Sequence, residues 1–308
     1  MSALANSNLY TACELGQVKT VKTLLSKKGK VKPDKMTSAG VTPLLAATNK
    51  GHDDIVKMLI EAGVNVNTPM RDGGATPLLM ACQAGNVKVV QNLIDSGADM
   101  EKATPDGRYP LLMACGGDQQ KIVNLLCSKG CDLNKATNDG KTPIFVASQN
   151  NHETMVEMLC KFGADVNKTN EQDFTPLYIS SLNGYNEVIT HLLAHKADPN
   201  IASMENATPL ILACQGGHLQ TVEILLAAKA DYSHAANNGI HPLFAAAQVG
   251  HTAILQALIA AGAKVDQLML TEHASPLYVA TQNGHIKNCE ILIAVKTTAP
   301  PCHPSIGV

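Results

Sequence analysis

A two-residue start recurs along this 308-residue chain at an almost constant step. It reads Thr42-Pro43, Thr76-Pro77, Tyr109-Pro110, Thr142-Pro143, Thr175-Pro176, Thr208-Pro209, His241-Pro242 and Ser275-Pro276, with successive steps of 34, 33, 33, 33, 33, 33 and 34 residues. A variant start, Ser7-Asn8, lies 35 residues before Thr42 and makes nine units. No other feature constrains the fold as strongly. A fixed period of this size makes each unit one small supersecondary motif that must pack against copies of itself.

Each unit carries its own start and stop signals. Thr or Ser can cap a helix N-terminus, and Pro suits the first helical position because its missing N–H would have no partner there. A short apolar helix follows, as in "PLLMACQA". Gly ends it at 16, 51, 85, 184, 217, 250 and 284, and Asp118 and Asn151, which tolerate a left-handed backbone, stand in elsewhere. A second helix places apolar residues at helical spacing, for example Val56, Leu59 and Ile60, or Val90, Leu93 and Ile94. A second Gly closes it at 63, 97, 130, 163 and 262. Lys28, Lys196, Lys229 and Lys296 replace that Gly, so those ends are expected to turn less tightly. A polar stretch such as "NKATNDGK" then predicts a hairpin-like connector.

Helices this short are not stable alone, and one pair cannot bury both of its apolar faces. Stacking buries them, which predicts an all-α solenoid of helix pairs. Two columns of small residues support close approach of neighbouring first helices. One reads Ala12, Ala47, Ala81, Ala114, Ala147, Ser180, Ala213, Ala246 and Ala280. The next reads Cys13, Thr48, Cys82, Cys115, Ser148, Ser181, Cys214, Ala247 and Thr281.

With "TPLLAATNKGH", "TPLILACQGGH" and "SPLYVATQNGH" in view, the chain resembles the ankyrin repeat family over about residues 7–296. Residues 1–6 form a lead, and the tail 297–308, with Pro300, Pro301 and Pro304, is expected to be disordered. One departure is consistent. The family's His after Thr-Pro-Leu is replaced by Tyr10, Leu45, Leu79, Leu112, Phe145, Tyr178, Ile211, Phe244 and Tyr278, which implies packing where the family hydrogen-bonds. The resemblance also implies that turn asparagines eight residues after a Leu, here Asn67, Asn134, Asn167 and Asn200, are positions that an asparagine hydroxylase modifies in some members. The plainer account is that Asn suits the turn.

Chemistry is sparse. His191 and His195 stand four apart in "HLLAH", but Leu192 occupies the place where a zinc protease motif needs Glu. Cys127 and Cys131 lack a second pair at ligand spacing. Cys13, Cys82, Cys115 and Cys214 share one repeat position, as do His52, His152, His218, His251 and His285, so the unit itself explains them. There is no Gly-rich phosphate loop, and Asp53-Asp54 opens a second helix, where the dipole favours carboxylates. No catalytic, cofactor or metal site is expected.

Net charge is −2, which leaves no strong field for nucleic acid. Residues 1–35 carry +5 and the remainder −7. The lysine cluster from Lys19 to Lys35 reads as a solvated end cap, with an acidic partner as the second reading. Nine Cys without a secretory leader, and no long apolar stretch, point to a reducing cytoplasmic setting without a membrane span. A monomer is expected.

A surface without a reaction centre points to protein binding. In this family the partner groove uses the turn tips and the exposed ends of the first helices. That implies Gln149, Gln215, Gln248 and Gln282, flanked by Leu182 and Val249 and reached by Phe174 and Ile240. Amides both donate and accept, so such a row could read a peptide backbone. The expected function is a non-enzymatic scaffold or adaptor that binds a protein or peptide on its concave face. The alternative is a targeting or regulatory module of a larger protein, or an effector acting inside host cells.

Overall fold

The structure, a computed structural model, describes residues 2–26, 31–269 and 273–298. Eighteen helices and no strand occur among them. The chain divides into two compact units, residues 1–150 with 161–164, and residues 151–160 with 165–308. The first unit holds α1 (Ser2–Glu14), α2 (Val18–Leu25), α3 (Pro43–Asn49), α4 (Asp53–Glu61), α5 (Pro77–Ala84), α6 (Val87–Asp95), α7 (Pro110–Gly116), α8 (Gln120–Ser128) and α9 (Pro143–Gln149). In the second lie α10 (Glu153–Lys161, its last residue counted with the first unit), α11 (Pro176–Asn183), α12 (Asn186–Ala194), α13 (Pro209–Gly216) and α14 (Leu219–Ala227). It ends with α15 (Pro242–Val249), α16 (Thr252–Ala260), α17 (Pro276–Gln282) and α18 (Ile286–Thr298).

The start signals work as the sequence predicts in most repeats. Thr42, Thr76, Thr142, Thr175 and Ser275 each accept a bond from the backbone N–H three residues on, at 3.0–3.3 Å. His241 does the same through Nδ1, from Phe244 N at 3.3 Å. Thr208 departs from the pattern: its hydroxyl is buried without a partner. Tyr109 also makes no cap; its side chain is buried and its hydroxyl donates to the Lys135 carbonyl. The stop signals hold too. Asp118 and Asn151 adopt φ of 52° and 57°, the left-handed backbone that Gly takes elsewhere.

Within each unit, first helices stack on first helices and second on second: α1, α3, α5, α7 and α9 in one, α11, α13, α15 and α17 in the other. The Ala/Ser column is buried from Ala12 to Ala280. Its Cys/Thr/Ser neighbour is buried from Cys13 to Ala247, while Thr281 in the last repeat is exposed. Three hydroxyls in that column, on Thr48, Ser148 and Ser181, have no hydrogen-bond partner, so small size matters there more than polarity.

Three expectations change. Lys196 and Lys229 do not loosen their helix ends. Both take a left-handed backbone, φ 70° and 65°, and Lys196 N bonds Leu193 O at 3.0 Å just as Gly97 N bonds Ile94 O. The bonding of the turn outweighs the steric cost of a Cβ there. Lys296 ends nothing, because α18 continues to Thr298; Lys28 lies outside the described residues. Finally, α1 begins at Ser2, ahead of the Ser7 start, so the lead joins the first helix, and α18 takes residues 297 and 298 from the tail. Residues 299–308 lie outside the described residues, as do Lys27 and Lys30 of the lysine cluster; Lys19, Lys22, Lys32 and Lys35 are exposed.

Candidate binding face

The connectors hold a fixed geometry. A five-residue turn closes by a backbone bond, Ser203 N to Ala207 O at 3.0 Å and Ala236 N to Ile240 O at 2.9 Å. Consecutive tips bond one another in the second unit: Met204 N donates to Gln172 O at 3.3 Å, and Asn237 N to Glu205 O at 2.9 Å. The tips at 170–174, 203–207 and 236–240 therefore form a row beside α11, α13 and α15.

Two adjoining hollows open between this row and the first helices. One, of about 430 Å³, is lined by Tyr178, Glu205, Ile211, Leu212, Gln215 and Ile240, among others. Its neighbour, of about 290 Å³, is lined by Ile240, Phe244, Gln248, Met269, Tyr278 and Gln282, among others. Ile240 and Asn238 belong to both and form the ridge between them. The structure thus brings together four of the residues singled out from sequence: Gln215, Ile240, Gln248 and Gln282. No hydrogen bond among the described residues engages the side-chain amides of these three Gln. A fifth, Phe174, is half-buried and stacks on Tyr178, with ring centroids 4.3 Å apart and planes 8° from parallel. Leu182 and Val249 are exposed at the ends of α11 and α15 and line neither hollow. Gln149 is exposed at the end of α9, in the first unit.

Sequence reasoning missed Tyr178, Glu205 and Tyr278. Tyr178 and Tyr278 occupy the column where the family carries His, read above as packing. Tyr178 is buried with its phenol pushed up by burial, while Tyr278 is 59% exposed at the rim. The change from His to Tyr was the available signal.

Other polar clusters prove structural. His52, His218 and His285 point a ring nitrogen at the carbonyl of Glu14, Leu182 and Gln248 in the preceding repeat, at 3.0–3.2 Å. Asn86 and Gln119 make the same link by amide, to Gly51 O and Gln83 O. On the opposite turns, Asn67, Asn167 and Asn200 accept from the N–H of Asp99, Asp198 and Asp231 in the next repeat, at 2.8–2.9 Å. Those asparagines therefore hold neighbours in register. His191 faces Glu153 at 3.4 Å while His195 bonds the His191 carbonyl, so the two rings do not converge. No cluster of three or more metal-ligating side chains occurs among the described residues. Burial pushes the Cys13 thiol up to about 12 and raises Cys82, Cys115 and Cys214 as well, which suppresses the nucleophilic thiolate. A larger hollow of about 990 Å³, by Lys229, Tyr232 and Lys264, sits at the second-helix ends of the same unit, away from the tips.

Comparison with known proteins agrees with this architecture. The ankyrin repeat family matches residues 9–104, 78–170, 162–236 and 228–300. The chain belongs to the ankyrin repeat family. A human protein, ankyrin repeat and SAM domain-containing protein 3, is 42% identical over 62 residues, 20% of this chain and 9% of its own length. The chain thus matches only a small part of that relative. The ankyrin repeat domain of Bcl-3, described as a unique member of the IkappaB protein family, superposes with a TM-score of 0.66 at 27% identity. That match covers 71% of this chain and 97% of the Bcl-3 chain. Ankyrin repeats are general protein–protein interaction modules. No helix among the described residues is long and apolar enough to cross a membrane.

Proposed function

We propose that the protein is a non-enzymatic binding scaffold or adaptor that holds a peptide segment of its partner along the tip-and-first-helix face of the second unit. One observation carries this reading: two adjoining hollows share Ile240 and are rimmed by Gln215, Gln248 and Gln282, whose side-chain amides no hydrogen bond among the described residues engages. Apolar side chains seated in such hollows supply most of the energy of a peptide contact, and the amides read the backbone. The buried free thiols support work in a reducing compartment.

The test is selection of random peptides displayed on phage against the full chain, the Ile240→Ser variant and the Glu223→Lys variant. Glu223 is exposed on α14, the second-helix side. Peptides enriched on the native protein should be lost on Ile240→Ser and kept on Glu223→Lys, with helicity by circular dichroism equal in all three. Enrichment that survives Ile240→Ser and fails on Glu223→Lys would move the functional face to the second helices.

A further inference from the structure

We infer that the occupant of this face is an extended, basic peptide segment, with a Lys or Arg lying over Glu205 and its neighbours and two apolar side chains beyond it, one in each hollow. The inference rests on the peptide-holding function proposed for this face and adds the chemistry of the partner.

The charge argument comes from the tips. In the second unit they read Glu171-Gln172-Asp173-Phe174, Met204-Glu205-Asn206-Ala207 and Asn237-Asn238-Gly239-Ile240, without a Lys or Arg. Glu171, Asp173 and Glu205 are exposed, and no ion pair engages them among the described residues. The bonds linking Gln172 to Met204 and Glu205 to Asn237 set these carboxylates on neighbouring tips, at the end of the row where Tyr178 and Glu205 edge the first hollow. In two turns of the first unit the carboxylate at the turn position of Glu205 is already neutralised: Arg108 pairs with Asp106 at 2.7 Å and Lys141 with Asp139 at 2.9 Å. The position that supplies those cations holds Phe174, Ala207 and Ile240 in the second unit. At Ala207 the substitution leaves Glu205 without an internal counter-ion, and Ala207 and Ile240 line the first hollow. A ligand that fills the hollow and restores the counter-ion satisfies both changes. Three unpaired carboxylates repel a phosphate backbone, so the chemistry is that of a polypeptide and not a nucleic acid.

The spacing follows from the stack. Neighbouring first helices pack about 8–10 Å apart, and a peptide in the extended polyproline II conformation advances about 3.1 Å per residue with every third side chain on one face. The two apolar side chains therefore stand about three residues apart, with the cation outside the one nearer Glu205.

The experiment measures the phage-selected peptides as labelled synthetic peptides, by fluorescence anisotropy with the full chain. The proteins are the native chain, Ile240→Ser, and a triple variant Glu171→Gln, Asp173→Asn, Glu205→Gln, each at low and high salt. Asn tolerates the left-handed backbone of Asp173 (φ 59°), so the triple variant removes charge without straining the tip. The selected peptides should share a Lys or Arg next to two spaced apolar residues. The triple variant should weaken them about 5- to 10-fold at low salt, and that gap should shrink at high salt. Peptides that depend on Ile240 but lack Lys and Arg, or bind the triple variant equally well, would overturn the basic-peptide inference and leave the binding face in place. Peptides indifferent to Ile240→Ser would overturn both.

Discussion

The turns at 104–108 and 137–141 in the first unit and those at 203–207 and 236–240 in the second share one backbone. Each closes by a bond from its first residue's N–H to its fifth residue's carbonyl, at 2.8–3.0 Å. Their last side chains differ completely. Arg108 and Lys141 bend back to pair with an aspartate of their own tip, while Ala207 and Ile240 line a hollow. A turn that demands only a hydrogen-bond pattern leaves its outward side chains free to vary. In a repeat protein those free positions are where one stretch becomes inert surface and another a binding face.

The largest effects should be blind to this difference. Ala147→Leu in the first unit and Ala213→Leu in the second both overpack fully buried positions of the same column, and each should cost about 1–3 kcal/mol. Gln149→Leu, on the exposed end of α9, should stay within about 0.5 kcal/mol. Urea midpoints check this. Equal losses for Ala147→Leu and Gln149→Leu would show that the column is not what holds the repeats together.

Next comes transplanting one tip onto the other. Asn238→Asp with Ile240→Lys writes the first unit's ion pair into the second. Stability should move by no more than about 1 kcal/mol, since exposed pairs contribute little. Capture of the selected peptides should fall by about tenfold or more, because the ridge between the hollows is lost. Unchanged anisotropy would separate the tips from binding.

A smaller contrast lies at the helix caps. Thr142 caps α9 without titrating, but the cap of α15 is His241, whose Nδ1 must stay unprotonated to accept from Phe244 N while Nε2 donates to Gln267 O. Burial holds its pKa below the ordinary value. The unfolded chain therefore binds the proton first as pH falls. The cap's contribution is complete above the unfolded pKa of about 6.5 and is lost as pH drops from there through the folded pKa. His241→Thr should remove the histidine's share of this acid dependence, a cap being worth about 1 kcal/mol. Urea midpoints at neutral and mildly acid pH, native against variant, give the readout.

The smallest effect concerns the second-helix ends. Gly63, Gly97 and Gly130 take a left-handed backbone in the first unit where Lys196 and Lys229 take it in the second. Lys196→Gly and Lys229→Gly should each stabilise by up to about 1 kcal/mol, and Gly97→Lys should destabilise by a similar amount. Thermal midpoints that move the other way would mean the lysine side chains contribute more than their backbone costs.

The period, the caps, the stops and the small columns were legible in the sequence because each is a local rule applied many times. A Thr-Pro start or a left-handed Asn carries its meaning within a few residues, and repetition averages out exceptions such as Thr208. The candidate face was legible only in part. Gln215, Gln248 and Gln282 recur at one position and do line the hollows, yet Leu182, at that same position, does not. Tyr178 looked like packing and proved to be packing and wall together.

By itself, then, the sequence determined an all-α stack of ankyrin repeats, because helix start, helix stop and burial periodicity are encoded residue by residue. The tertiary structure alone decided which side chains share a hollow. That outcome depends on side chains about thirty residues apart in sequence meeting across neighbouring repeats, a separation over which no local propensity reaches.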